Sequence, residues 1–182
     1  YLTVNAFNLY ALFNGNWLPN ETLFLGLPVG KLAWFLTLSA LGAVVYGVIK
    51  GKGQGRYLFG AFAIYVLFFV LGPKMHERYL FPAAFVGLTA LMVIADKRVL
   101  WLAVWASLTT FVNTLVTLDI LTRLNSTGVP NGSFFMVVCS LANVALLIQT
   151  FRVGYDIFLR GERPGVALFN APAPRVRPGA AG

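Results

Sequence analysis

Apolar residues dominate five stretches of the chain: Lys31 to Ile49, Tyr57 to Gly72, Tyr79 to Ala95, Val99 to Leu118 and Phe134 to Phe151. Ionisable residues are confined to their ends and to the segments between them. Each stretch approaches the ~20 residues a helix needs to cross a bilayer, so the pattern predicts a polytopic, all-α transmembrane helix bundle of about five spans. The second and third are short on that scale, at ~1.5 Å of rise per residue. The turn that joins them is therefore expected to sit recessed below the membrane surface, as the floor of a cavity.

Two flanking regions break this pattern. In residues 1–30, aromatics and leucines alternate with Asn5, Asn8, Asn14, Asn16 and Asn20, and Pro19, Gly26, Pro28 and Gly30 follow. From Thr3 to Phe13 the spacing predicts a short helix on the membrane surface, with Asn5 and Asn8 on one face and Trp17 at the headgroup level. The asparagines otherwise read as loop and capping residues. Residues 161–182 are rich in Gly, Pro and small side chains, which predicts a disordered tail beyond a transmembrane domain of residues 1–160. Its arginines would be weakly drawn to anionic lipid.

Composition agrees. Of 182 residues, 58% are hydrophobic and 11% charged, against ~45–50% and ~25% in soluble domains, and mean hydropathy is +0.76. The net charge of +8 does not point to nucleic acid, because the bases form short clusters without a basic face or an aromatic-lined groove. Cys139, the single cysteine, lies inside an apolar run and has no partner for a disulfide or a thiolate metal site. One histidine and no paired acids argue against a metal centre built from this chain, and no cofactor is expected.

The bases set the predicted orientation. Lys50, Lys52, Arg56, Lys97, Arg98, Arg152, Arg160, Arg163, Arg175 and Arg177 fall on one side of the predicted spans, and Lys31, Lys74, Arg78 and Arg123 on the other. The larger group marks the cytoplasm. Residues 1–30, the turn between the second and third spans, and the loop from Asp119 to Ser133 are then extracytoplasmic. Three sequons, beginning at Asn20, Asn125 and Asn131, fall on that outer side. Asp119 and Arg123, four apart at a span end, read as a local ion pair.

Two of the four outer bases lie in Pro73-Lys74-Met75-His76-Glu77-Arg78-Tyr79-Leu80-Phe81-Pro82, which also holds the only histidine. Ionisable groups this dense beside hydrocarbon are costly, so they are either solvated or retained for chemistry. Pro73 suits the first turn of a helix running on through Phe81, which would put Lys74 and Arg78 on one face near a phosphate-attracting helix N-terminus. Pro82 would then kink that helix and free the Arg78 carbonyl. The simpler reading is an interhelical turn whose charges keep the flanking helices from sliding.

The stretch Lys74-Met75-His76-Glu77-Arg78-Tyr79-Leu80-Phe81-Pro82 resembles the late motif of bacterial integral membrane glycosyltransferases of the GT-C superfold, those similar to the GPI-anchor mannosyltransferases. Thr3-Val4-Asn5-Ala6-Phe7-Asn8-Leu9-Tyr10-Ala11-Leu12, followed by Asn16-Trp17, resembles the segment that precedes this motif. The resemblance implies a hexosyl or mannosyl donor carried on polyprenyl phosphate, dolichyl or undecaprenyl, and transfer on the outer side of a plasma or ER-type membrane. Arg78 and Lys74 would contact the donor phosphate, with Tyr79, Asn5 and Asn8 as further substrate-binding residues. His76 and Glu77 are the catalytic candidates by hydrogen bonding or proton transfer.

Such enzymes carry their catalytic carboxylate in a first outer loop. The chain, which starts at Tyr1 without a secretory leader, is therefore expected to be the C-terminal part of a GT-C-like membrane domain that works with an upstream part of the same protein. Two other classes remain: a transporter or channel segment gated by the charged turn, and a non-catalytic membrane subunit. The first would use polar residues within the spans, of which Asn113, Thr114, Thr117, Asn143 and Gln149 are the candidates, although helix-packing hydrogen bonds also account for them.

Overall fold

The structure, a computed structural model, describes residues 1–124 and 128–160. Five helices form an all-α membrane bundle: α1 (Val29–Lys50), α2 (Gly55–Leu71), α3 (Phe81–Ile94), α4 (Lys97–Leu124) and α5 (Phe134–Gly154). A π-helical turn, Tyr155–Arg160, prolongs α5. Among the described residues, four continuous helical stretches are long and apolar enough to cross a membrane: Val29–Lys50, Glu77–Ile94, Lys97–Arg123 and Phe134–Arg160. α2 is shorter. The predicted tail and the Asn125 sequon lie outside the described residues.

α2 is central because it is apolar on every side, and such a helix is buried. Phe59, Phe62, Val66, Leu67, Phe69 and Val70 make it the axis of the core. α3 is seated by its buried small residues Ala83, Gly87 and Ala90. A Cβ at Gly87 would meet both the Phe62 ring and Ala103 at 3.0 Å, so a small-residue stripe lets the backbones approach closely.

The helix ends separate into two groups. At one end, here the basic end, lie Lys50, Lys52, Arg56, Lys97, Arg98, Arg152 and Arg160. Asp96 is buried there, accepts the Arg98 backbone N–H at 2.8 Å and caps α4. Its carboxylate also binds the Arg98 guanidinium at 2.9 Å, and Arg98 reaches Asp156 of the π-helical turn at 3.8 Å. The Lys52 N–H donates to the Phe158 carbonyl at 3.1 Å. These links join α1, α4 and α5 at one level.

The opposite end, the turn end, carries the N-terminal segment, and here the expected helix over Thr3 to Phe13 is not what forms. Thr3–Val4 is a strand, β1. A hairpin of β2 (Leu23–Phe24) and β3 (Leu27–Pro28) follows, turning through Leu25 and Gly26, both at positive φ. A two-residue turn with that pair of angles matches strand twist, and glycine meets it without strain. Only Tyr10–Phe13 is helical, as a 3₁₀ turn.

The segment fails to become an interfacial helix because its backbone finds partners in the bundle. The Phe7 N–H donates to Asn113 Oδ1 of α4 at 2.7 Å, and the Phe7 carbonyl accepts from Asn143 Nδ2 of α5 at 2.7 Å. Asn113 Nδ2 also donates to the Asn5 carbonyl at 3.0 Å. From Phe134 to Asn143 is roughly 14 Å along α5 at ~1.5 Å per residue. Irregular backbone therefore enters the bundle to near its middle, which is tolerated only where protein groups satisfy it. Phe7 and Asn8 are fully buried there.

The focal turn also departs from expectation. No helix starts at Pro73. α2 ends at Leu71, Gly72 is extended, Lys74 adopts a left-handed φ of 62°, and Met75–His76 forms β4. β4 pairs in parallel with β1, Thr3 opposite Met75 and Val4 opposite His76, and the Lys74 N–H donates to the Leu2 carbonyl at 2.8 Å. A 3₁₀ turn, Glu77–Leu80, leads into α3. Pro82 sits in the first turn of α3, where no N–H is needed. The Arg78 carbonyl is not freed, because the Phe81 N–H takes it.

Candidate functional site

β1 sits between β4 on one side and Asn16 to Leu18 on the other. The Leu2 N–H donates to the Leu18 carbonyl at 2.6 Å, and the Trp17 N–H donates to the Thr3 carbonyl at 2.9 Å. The Thr3 hydroxyl donates within this patch, lying 3.3 Å from the Ala6 carbonyl oxygen and 3.4 Å from that of Met75. The patch therefore joins the start of the chain to the charged turn through backbone bonds, which hold position more tightly than side-chain contacts would.

Depth follows from helix lengths. The start of α3 shares a groove with α4: Phe81, Phe85 and Leu88 face Ser107, Phe111 and Thr114. From Thr114 to Leu124, α4 runs on for roughly 15 Å. The turn at the head of α3 is thus set back from the end of α4.

Lys74 and Arg78 point outward, the Arg78 side chain 69% exposed. Glu77 is more enclosed, at 18%, and forms an ion pair of 3.6 Å with Arg78. The His76 and Tyr79 rings meet edge to face at 5.2 Å, with Tyr79 partly exposed. Lys74 and Arg78 do not share a helix face, since a strand and a 3₁₀ turn intervene. The arrangement offers two cations, an imidazole and a phenol at the turn-end surface, with one carboxylate orienting the guanidinium.

Asn5 and Asn8 are placed differently, deep in the segment that supports the turn. Asn5, at φ 54°, is 4% exposed. Its Oδ1 accepts from the Val129 N–H at 2.9 Å and the Trp17 indole at 3.3 Å, while its own N–H donates to Asn16 Oδ1 at 2.7 Å. Asn8 Oδ1 accepts from the Tyr10 and Ala11 N–H groups, heading the 3₁₀ turn. Both act on backbone. Asn131 does likewise, binding Asn16 through both ends of its amide, so that sequon's side chain is engaged. Trp17 stacks edge-on with Tyr1 at 5.0 Å, and Asp119 and Arg123 form the expected local pair at 2.5 Å.

No protein-family model, curated protein or solved structure matches the chain.

Several residues that build the site carried no clear signal in the sequence. Leaving α2 exposes the Val70 and Leu71 carbonyls, a helix-end deficit. The Leu9 N–H donates to the Val70 carbonyl at 3.2 Å, the Tyr10 hydroxyl donates to that of Leu71, and the Thr37 hydroxyl lies 2.6 Å from the same oxygen. Burial pushes the Tyr10 phenol well above its usual pKa, against a smaller lowering by Thr37. Asn113 and Asn143 were visible as polar residues inside spans, but their partner is the Phe7 backbone and not a facing helix. The one available clue was that an amide in hydrocarbon requires a partner.

Proposed function

We propose that this protein is an integral membrane glycosyltransferase, or the donor-binding part of one, that uses a hexosyl or mannosyl polyprenyl phosphate at the turn end of the bundle. The observation that supports this reading most is a pairing. The two segments that resemble the enzyme family, distant in sequence, are hydrogen-bonded to each other as β1 and β4. A turn that only connected two helices would not need left-handed Lys74, Asn5 and Trp17 gathered around it, since such angles are costly for residues with a Cβ.

In this reading the Arg78 guanidinium binds two phosphate oxygens of the donor and Lys74 adds a point charge. Attack of an acceptor hydroxyl on the anomeric carbon breaks the bond from that carbon to the phosphate oxygen, and the bonding pair leaves with the polyprenyl phosphate. Cations fixed beside that oxygen stabilise the developing charge. Glu77 holds Arg78 in position. His76, steadied by Tyr79, hydrogen-bonds phosphate or sugar. The resemblance assigns removal of the acceptor's proton to a carboxylate on an upstream part of the protein. The basic end would face the cytoplasm and the turn the outer side.

The transporter reading is weaker, because two of the five polar span residues it would use, Asn113 and Asn143, bind the Phe7 backbone. The test is binding of a polyprenyl-phosphate sugar, and of free polyprenyl phosphate, to protein in lipid nanodiscs. Arg78→Ala is expected to weaken binding by about 1.5–3 kcal/mol, the worth of charge-assisted bonds, and His76→Ala by less. Absence of binding to the native protein, or equal binding by both variants, would reduce the turn to a connector.

A further inference from the structure

At the basic end a second feature stands apart from the turn. α1, α2, α5 and the π-helical turn enclose a crevice of about 350 Å³, within the range of ordinary ligand pockets, ~300–1,000 Å³. Val44, Gly47, Phe59, Ala63, Phe151 and Phe158 line it, and Arg56 stands at its mouth. From Arg56 to Ala63 is roughly 10 Å along α2, so the crevice runs parallel to the helices with its cation at the helix ends. Tyr46 and Tyr155, also in its wall, are more than half exposed. It therefore opens sideways onto the same surroundings as the apolar faces of the bundle.

Arg56 rests over the Tyr57 ring, its guanidinium carbon 4.5 Å from the centroid, but its charge is not neutralised by the described residues. One guanidinium nitrogen donates to the Gly53 carbonyl at 3.2 Å and another to the Tyr57 hydroxyl at 2.7 Å, while its Nε is buried without a partner. Among the described residues, no carboxylate forms an ion pair with it. Asp156, the acid of the adjoining turn, is engaged by Arg98 and Arg160. Arg56 also lies in the first turn of α2, which has no acid and no side-chain cap. A cation there opposes the helix dipole and adds to its positive end. Lys50 and Lys52 are exposed nearby in the chain. The site thus joins a positive mouth to an apolar slot that runs parallel to the helices.

We propose that this crevice holds one anionic phospholipid, an acyl chain lying between α1 and α5 and the phosphate on Arg56. Charge selects the headgroup, and the length and lateral opening of the slot select a chain. The site is independent of the donor at the turn end, and the two fail separately in experiment.

The test is native mass spectrometry of the detergent-purified protein after exchange into phosphatidylglycerol or phosphatidylcholine, with inorganic phosphate as a competitor. One phosphatidylglycerol per chain is expected to be retained, roughly tenfold in preference to phosphatidylcholine, as a charge-assisted contact implies. Arg56→Gln removes that preference. Gly47→Leu fills the slot and abolishes retention of either lipid, and it should fold, since a Cβ at Gly47 meets nothing within 4 Å and leucine favours the helix. Equal retention by both variants and the native protein overturns the proposal. So does displacement by millimolar phosphate, which would make the site a simple anion site.

Discussion

Asn143, in the middle of α5, donates from Nδ2 to the carbonyl oxygen of Phe7 at 2.7 Å, across 136 positions of sequence. With Asn113 on the Phe7 N–H, it anchors non-helical backbone inside the bundle. Asn143→Leu leaves that carbonyl buried and unpaired and is expected to cost about 1–3 kcal/mol. A lower thermal midpoint and faster proteolysis within residues 1–20 would reveal it. If Asn143→Leu matches the native protein on both counts, the segment is held by something else.

Lys74 combines a charge with a left-handed backbone. Lys74→Gly relieves the strain and is expected to stabilise the fold by ~1 kcal/mol, while Lys74→Ala, which keeps the strain, does not. In the proposed function both weaken polyprenyl-phosphate binding equally, because both remove the ammonium. Thermal melts and binding isotherms on the two variants separate strain from charge, and a binding difference between them would count against the charge assignment.

Gly128 lies against the indole of Trp17, and a Cβ there would clash with Nε1. Gly128→Ala must displace the ring and disturb its bond to Asn5, with an expected cost of about 1–3 kcal/mol. Combining it with Trp17→Leu should recover much of the loss. Additive effects in that double-mutant cycle would show that the contact is not the cause.

Tyr10 gives the fold an alkaline signature. Its folded-state pKa lies above the unfolded value of ~10, so its contribution is complete below pH 10 and is lost as pH rises from there toward the folded-state pKa. Between pH 9 and 11 the native midpoint is expected to fall more steeply than that of Tyr10→Phe, which is less stable at pH 8 through loss of the bond to Leu71. Parallel pH profiles would contradict this account.

Legibility in the sequence varied by element. The spans over α1, α4 and α5 were readable to within a few residues at most of their ends, because long apolar runs leave little alternative. α2 and α3 were readable as helices, to within about two residues at each end. Pro73 misled, since proline suits a helix start but equally a turn, and the choice was made by the Leu2 carbonyl awaiting the Lys74 N–H. Pro82 misled for a related reason: the helix began later than assumed, so the proline fell in a first turn. Arg56 was counted for topology alone, and its crevice depends on α5 and the π-helical turn, about a hundred residues away.

By itself, the sequence determined that this chain is a bundle of apolar helices with its ionisable groups at their ends. Hydrocarbon leaves backbone polar groups no other partner, so each helix is satisfied within its own segment and can be read locally. The tertiary structure alone decided the course of residues 1–28 and the shape of the charged turn. Neither stretch satisfies its backbone alone: residues 1–28 find Asn113, Asn143 and Val129, more than a hundred positions away, and the turn finds Leu2 and β1 at the start of the chain.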